Sequence, residues 1–159
     1  MSDIVTLPPP TAHSKVHALY AYWRRIAPAP GILPGRRRID PVKIPALLDN
    51  IWLVDVVPPE PRFRFRLIGD APRRMGIPGK PGDFLDQFHA GGITDPALND
   101  FRTVAAQRTP IWFRGKALIK HRSEMFELER LFLPLASDGT TVDILLCLTV
   151  FYTPEGKDI

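Results

Sequence analysis

The chain holds a single cysteine, Cys147, among its 159 residues. One thiol excludes an internal disulfide and argues against a cysteine-based zinc site, and both fit a reducing compartment. No apolar run approaches the roughly 20 residues that a helix needs to cross a bilayer. The opening MSDIVTLPPP has neither a basic n-region nor an apolar h-region, so the expected location is the cytoplasm. Enzyme signatures are missing too: G-x-S-x-G, H-E-x-x-H and a GK[ST] phosphate loop do not occur. GIPGKPGD, residues 76–83, lacks the hydroxyl after Lys80 and does not follow a strand directly, so it reads as a plain turn. His13, His17, His89 and His121 are scattered through arm, helix and loops without motif-spaced carboxylates or nucleophiles. A non-enzymatic protein without a metal site is the expectation. The charge excess is small, 21 basic against 17 acidic residues, and its arginines are spread from Arg24 to Arg130. A nucleic-acid binder concentrates such charge on one face among aromatic platforms, so nucleic acid is not the expected partner.

What is present suits one domain with a real core, 45% of the residues being hydrophobic. Residues 1–13 carry a PPP run and no apolar period and read as a flexible arm; 14–153 form the domain; 154–159 read as a flexible tail. With Ser14 as N-cap, Val16, Leu19, Tyr20, Trp23 and Ile26 mark one stripe of an amphipathic helix that APAPG, residues 27–31, stops. Asp40 and Pro41 read as N-cap and N1 of a second, short helix. IWLVDVV (51–57), the turn PPEP and RFRFRLI (62–68) form a β-hairpin. Pairing Val57 with Arg62 sets Val54 by Phe65 and Trp52 by Leu67 on an apolar, inward face, with Asp55 opposite Arg64 on the other. Arg66 then has no acid opposite it.

Glycines and prolines break residues 70–95 into short turns. DPALNDFRTVAAQRTP follows as a helix capped by Asp95 and opened by Pro96. Three strands complete the chain at 110–119, 125–136 and 142–152, joined by KHRSE and by the Asp138-Gly139 turn. The last is apolar on both alternations except for Asp143 and the threonine, which places it in the middle of the sheet. This is an α+β layout with helices on one sheet face and the N-terminal helix on the other.

The succession YAYW (20–23), LPGRRRIDP (33–41), a leucine pair before IWLVDV, and RFRLIGDA (64–71) resembles a bacterial PAS domain family, usually a stand-alone domain, over most of residues 16–152. The matching positions are Tyr22, Trp23, Pro34, Arg36, Ile39 to Pro41, Phe65, Arg66, Gly69 and Leu133 to Leu135, with departures at Arg38 and Pro81. The resemblance implies a five-stranded antiparallel sheet in the order 2-1-5-4-3 and a sensory or interaction role. It implies a small molecule held between the inner sheet face and the short helices, or pairing through the N-terminal helix, with a signalling protein as partner. The expected ligand site is Phe65, Arg66, Leu67, Phe101, Phe113 and Cys147, with the identity of any ligand or cofactor open. Arg66 reads either as a structural clamp to backbone carbonyls or to a carboxylate of the IDP segment, or as an anion clamp at the pocket edge. Tyr20 and Trp23 are the expected interface if the protein is a homodimerisation module. A small enzyme on a cone-shaped α+β fold is the remaining rival. Heme would need an axial ligand in the helical layer, and covalent flavin chemistry a cysteine there. Cys147, in the last strand, reads as a small apolar core residue.

Overall fold

Alternation of apolar and polar residues makes strands of this chain's two halves, and tertiary pairing joins them into one sheet. A computed structural model describes residues 7–91, 95–119 and 124–159, with side chains outside 89–96 and 117–125. Residues 120–123 of KHRSE, His121 among them, lie outside the described residues, as do the side chains of His89, Asp95 and Pro96. The strands are β1 (Ile51–Val57), β2 (Arg62–Ile68), β3 (Ile111–Ile119), β4 (Glu124–Leu135) and β5 (Ile144–Tyr152). They form one antiparallel sheet in the order β2-β1-β5-β4-β3. The last strand is central, and all of its residues are buried. The helices are α1 (Ser14–Ile26), α2 (Asp70–Arg74) and α3 (Asp95–Gln107), with short 3-10 turns between them.

α1 covers the outer sheet face. Val16, Leu19 and Tyr22 are buried against Leu53, Leu131, Leu133, Leu146 and Leu148. Burying Val16 and Leu19 stabilises the fold by on the order of 1.5–3 kcal/mol each, an upper bound against an extended chain. The buried member of the YW pair is Tyr22. Its hydroxyl accepts from the Asp40 backbone N–H at 2.8 Å, which ties α1 to the IDP segment. The helix is capped one residue before the expected Ser14, by His13, whose Nδ1 accepts from the Lys15 N–H at 3.0 Å. It ends where Pro28 forces Ala27 into extended backbone. Asp40 does cap the short turn at Pro41–Lys43, accepting from the Val42 N–H.

The β1–β2 hairpin keeps the expected register from Val57–Arg62 to Val54–Phe65, then slips by one: Leu53 pairs with Leu67 and Trp52 with Ile68. Arg66 is the extra residue of a β-bulge. The structure corrects two expectations. Ile68, 7% exposed, takes the place beside Trp52, while Leu67 is 42% exposed. Arg66, which seemed to lack a partner, shares Asp55 with Arg64: its Nη1 lies 3.2 Å from Oδ1, and Arg64 Nε lies 3.2 Å from Oδ2. Both arginines are well exposed, so each pair contributes less than about 1 kcal/mol. Ile68→Ala is expected to cost about 2–5 kcal/mol and Leu67→Ala under about 1. Equal losses in urea denaturation midpoints would place the slip elsewhere.

The GKPGD turn covers the free edge of β2. Phe65 N–H donates to the Asp83 carbonyl at 2.9 Å and Gly82 N–H to the Phe65 carbonyl at 2.8 Å. At Gly79, with φ of +105°, an added Cβ would sit 2.6 Å from the Phe65 ring, so this turn presses directly on the inner core.

Candidate functional site

Side chains alternate across a strand, so one parity of each strand lines the inner face beneath α3. That face carries Trp52 and Val54 from β1, Leu145, Cys147, Thr149 and Phe151 from β5, and Leu128, Arg130 and Phe132 from β4. α3 lowers Leu98, Phe101 and Val104 onto it. Phe101 stacks on Phe132 at 4.5 Å between ring centroids, and Trp52 meets both edge-on at 5.6 and 5.9 Å. Such contacts add about 0.5–1.5 kcal/mol per pair beyond burial. Trp52 Nε1 donates to Thr149 Oγ1 at 3.0 Å, which satisfies the indole inside the core.

Into this apolar layer the chain places an ion pair. Arg130 Nη2 donates to Asp100 Oδ2 at 2.7 Å, with the two side chains 13% and 6% exposed. The guanidinium lies over the Phe113 ring at 4.4 Å and near Phe132 at 5.3 Å. Its Nε is buried and has no hydrogen-bond partner among the described residues, a property it shares with Asp143 Oδ1. Burial presses the Arg130 pKa below its ordinary value, opposed by the neighbouring Asp100 carboxylate. The side chain stays cationic, because arginine starts so high. Asp100 is its counter-ion. A buried donor without an acceptor costs about 1–3 kcal/mol, a cost the Asp100 pairing at Nη2 does not remove.

The residue before Arg130 is buried on the opposite face. Glu129, fully shielded from solvent, accepts from the His13 backbone N–H at 2.8 Å, from Trp112 Nε1 at 2.8 Å and from the Tyr152 hydroxyl at 2.7 Å. His13 Nε2 also lies 2.9 Å from Asp158 Oδ2. The tail, expected to be loose, is therefore pinned beside the start of α1, with Ile159 N–H donating to the Phe151 carbonyl. Burial first, then the hydrogen bond and charge of Glu129, push the Tyr152 phenol far above its usual range. Because the folded pKa is raised, this stabilisation is complete below the unfolded value near 10 and is lost as pH rises beyond it. In an alkaline titration followed at 295 nm, Tyr152 is expected to remain un-ionised at pH 11 until the protein unfolds. Tyr152→Phe should remove the late, unfolding-linked part of the signal, and an unchanged titration would contradict the assignment.

A family model described as PAS domain matches residues 11–149. The chain belongs to the PAS domain family. Among solved structures, a LOV protein of Rhodobacter sphaeroides superposes with a TM-score of 0.51 at 19% identity, over 74% of this chain and 71% of that one. An RNA-binding light-oxygen-voltage receptor aligns at 15% identity with a TM-score of 0.49, over 93% of this chain and only 37% of that one. No curated protein matches the chain in sequence. The five-stranded order is that of the PAS and LOV fold.

Within this PAS fold the expected ligand residues separate into two groups. Phe65, Phe101 and Cys147 come together in the inner core, and half-buried Phe113 covers Arg130. Leu67 is carried to the exposed side by the bulge, and Arg66 is exposed there too, away from that core. Cys147 is fully buried in the central strand, and burial pushes its thiol well above the ordinary value. It is a protonated core side chain and not a reactive thiolate. Trp23 is half-buried on the outer core, its Nε1 donating to the Pro134 carbonyl at 2.9 Å, and Tyr20 lies 6.0 Å from it. Arg130 and Asp100 were missed. The signal for Arg130 was available: in FELERLFL it shares parity with Phe126, Leu128 and Phe132. Among the described residues, no group of histidine, cysteine, aspartate or glutamate is arranged to hold a metal ion, and no helix is long and apolar enough to cross a membrane.

Proposed function

We propose that this PAS domain is a non-enzymatic cytoplasmic sensor that binds a small, largely apolar molecule bearing one acceptor oxygen on the inner sheet face. It passes the bound state to a partner protein. One observation carries this reading: the buried Arg130 guanidinium, paired with Asp100 on one side and holding at Nε an N–H without a partner among the described residues. An apolar pocket with one oriented polar group is the usual form of a small-molecule site. Phe65, Phe101, Phe113 and Cys147 supply the apolar wall. Arg66 and Leu67 drop out of the proposed site, because both are exposed, away from the inner core.

Transmission has a short route. Arg130 and Glu129 are consecutive on β4, buried on opposite faces, and Glu129 holds both the start of α1 and the end of β5. A ligand that shifts Arg130 therefore acts on the strand that anchors α1. The test is native mass spectrometry of protein purified from cells without added ligand, compared with Arg130→Lys, which removes Nε while keeping the charge. A retained small-molecule adduct in the wild type and its loss in the variant are expected. Bare protein mass from cells grown under several conditions, together with no thermal shift from a panel of medium-chain carboxylic acids and ketones, would remove the ligand-sensing reading.

A further inference from the structure

We propose that the surface built by residues 23–38 and the 136–139 turn docks an acidic segment of a partner protein that also presents an apolar side chain. Two clefts of about 760 and 730 Å³ lie there, and they share Pro28, Ile32 and Leu33, so they form one continuous groove. Its floor carries apolar side chains among polar ones. Half-buried Trp23 lies at one end, and Ile32 is 41% exposed in the middle. Its rim is basic: Arg24 and Arg108 border the first cleft, and Arg36, Arg37, Arg38 and Arg66 border the second.

The state of these charges decides the kind of partner. Among the described residues, the guanidinium groups of Arg36 and Arg37 have no hydrogen-bond or ion-pair partner, unlike that of Arg66, which is bound to Asp55. Both acids of the groove accept hydrogen bonds from the chain itself, Asp143 through Oδ2 only. Asp138 accepts from the Thr140 and Thr141 backbone N–H groups at 2.8 and 2.7 Å, and Asp143 accepts from Ser137. The surface thus offers cations and asks for anions. The exposed Ile32 in the floor and the two carboxylates at the rim disfavour the uniform phosphate array of a nucleic acid and favour a peptide of mixed acidic and apolar residues.

The groove is fixed before anything binds. Leu33 N–H donates to the Gly139 carbonyl, Ala136 N–H to the Pro34 carbonyl, and Arg108 Nη2 to the Gly31 carbonyl, at 3.0, 3.0 and 3.2 Å. At Gly35 an added Cβ would approach Ala136 and Ser137 backbone to 3.3 Å, so the two segments run in close backbone contact. Preformed walls lower the ordering cost of association.

This inference uses residues other than those of the inner-face site, so either can fail alone. The experiment is panning of a random displayed 12-residue peptide library on the full chain, followed by fluorescence anisotropy of the enriched peptide at two salt concentrations. Enrichment of Asp and Glu around one large apolar residue is expected. The selected peptide should bind Arg36→Glu/Arg37→Glu at least tenfold more weakly, with little change in melting temperature because neither guanidinium has a hydrogen-bond or ion-pair partner among the described residues. Ile32→Asp should weaken it as well. Recovery of no binder, recovery of peptides without acidic enrichment, or equal binding to the charge-reversed protein would overturn the proposal. So would a random single-stranded RNA or duplex DNA that binds the groove more tightly than the selected peptide.

Discussion

Replacing Arg130 by alanine is expected to lower stability by about 3–5 kcal/mol, because it leaves the Asp100 carboxylate buried without its cation. The attraction inside the pair is large only because water is absent, and the same dryness makes the surviving partner costly. For a chain of this length the loss corresponds to a fall of roughly 6–20 °C in melting temperature. The control separates charge from packing. Arg130→Met with Asp100→Leu removes both charges, keeps apolar volume under Phe113, and should recover most of the loss. Calorimetry or urea denaturation of wild type, single and double variants reads this directly. A single variant within about 1 kcal/mol of wild type would mean that Asp100 finds water or another donor, and that the inner face is not dry.

Glu129→Ala is expected to have an effect of similar size, and for a different reason. The carboxylate satisfies three donors at once, the His13 N–H, the Trp112 indole and the Tyr152 hydroxyl. Each one left unpaired in a buried setting costs about 1–3 kcal/mol, and the three are not additive because one cavity and its incoming water serve them all. A total near 3–5 kcal/mol follows. Glu129→Gln keeps one acceptor oxygen and should cost about half as much. The local signature matters more than the global one. Hydrogen exchange should quicken in the first turn of α1 and at the Phe151–Ile159 contact before it changes in the central strands. Exchange that rises evenly over the whole sheet would show that Glu129 supports the core generally, and would remove it as the anchor of α1.

These two residues also mark the boundary between what could be read from the chain and what could not. Much of the fold was legible because the relevant information is local. Period-two alternation in 62–68 beside the largely apolar 51–57 called for a hairpin, the run in 144–152, apolar but for Thr149, called for the middle of a sheet, and Pro28 after Ala27 ended α1. Phe65, Phe101 and Cys147 reached the inner core by the same logic, since parity assigns each side chain to a face. The signal for Arg130 was equally local, yet an arginine on an inward parity has meaning only if an acid arrives to meet it.

Tertiary structure alone decided that. Asp100 stands 30 residues before Arg130 and on another element, and only the seating of α3 on the sheet brings them to 2.7 Å. His13 and Glu129, 116 residues apart, are joined for the same reason. The bulge at Arg66 belongs here too. A strand's own sequence does not reveal where its partner will skip a residue, and one skip exchanged Leu67 for Ile68 on the buried face. By itself the sequence determined which segments are strands and helices and which side each residue prefers, because those follow from short-range sterics and the burial of apolar surface. Partner choice among the buried charges came only with the assembled fold, because a hydrogen bond depends on position to within a few tenths of an ångström, and position across a domain is set by packing.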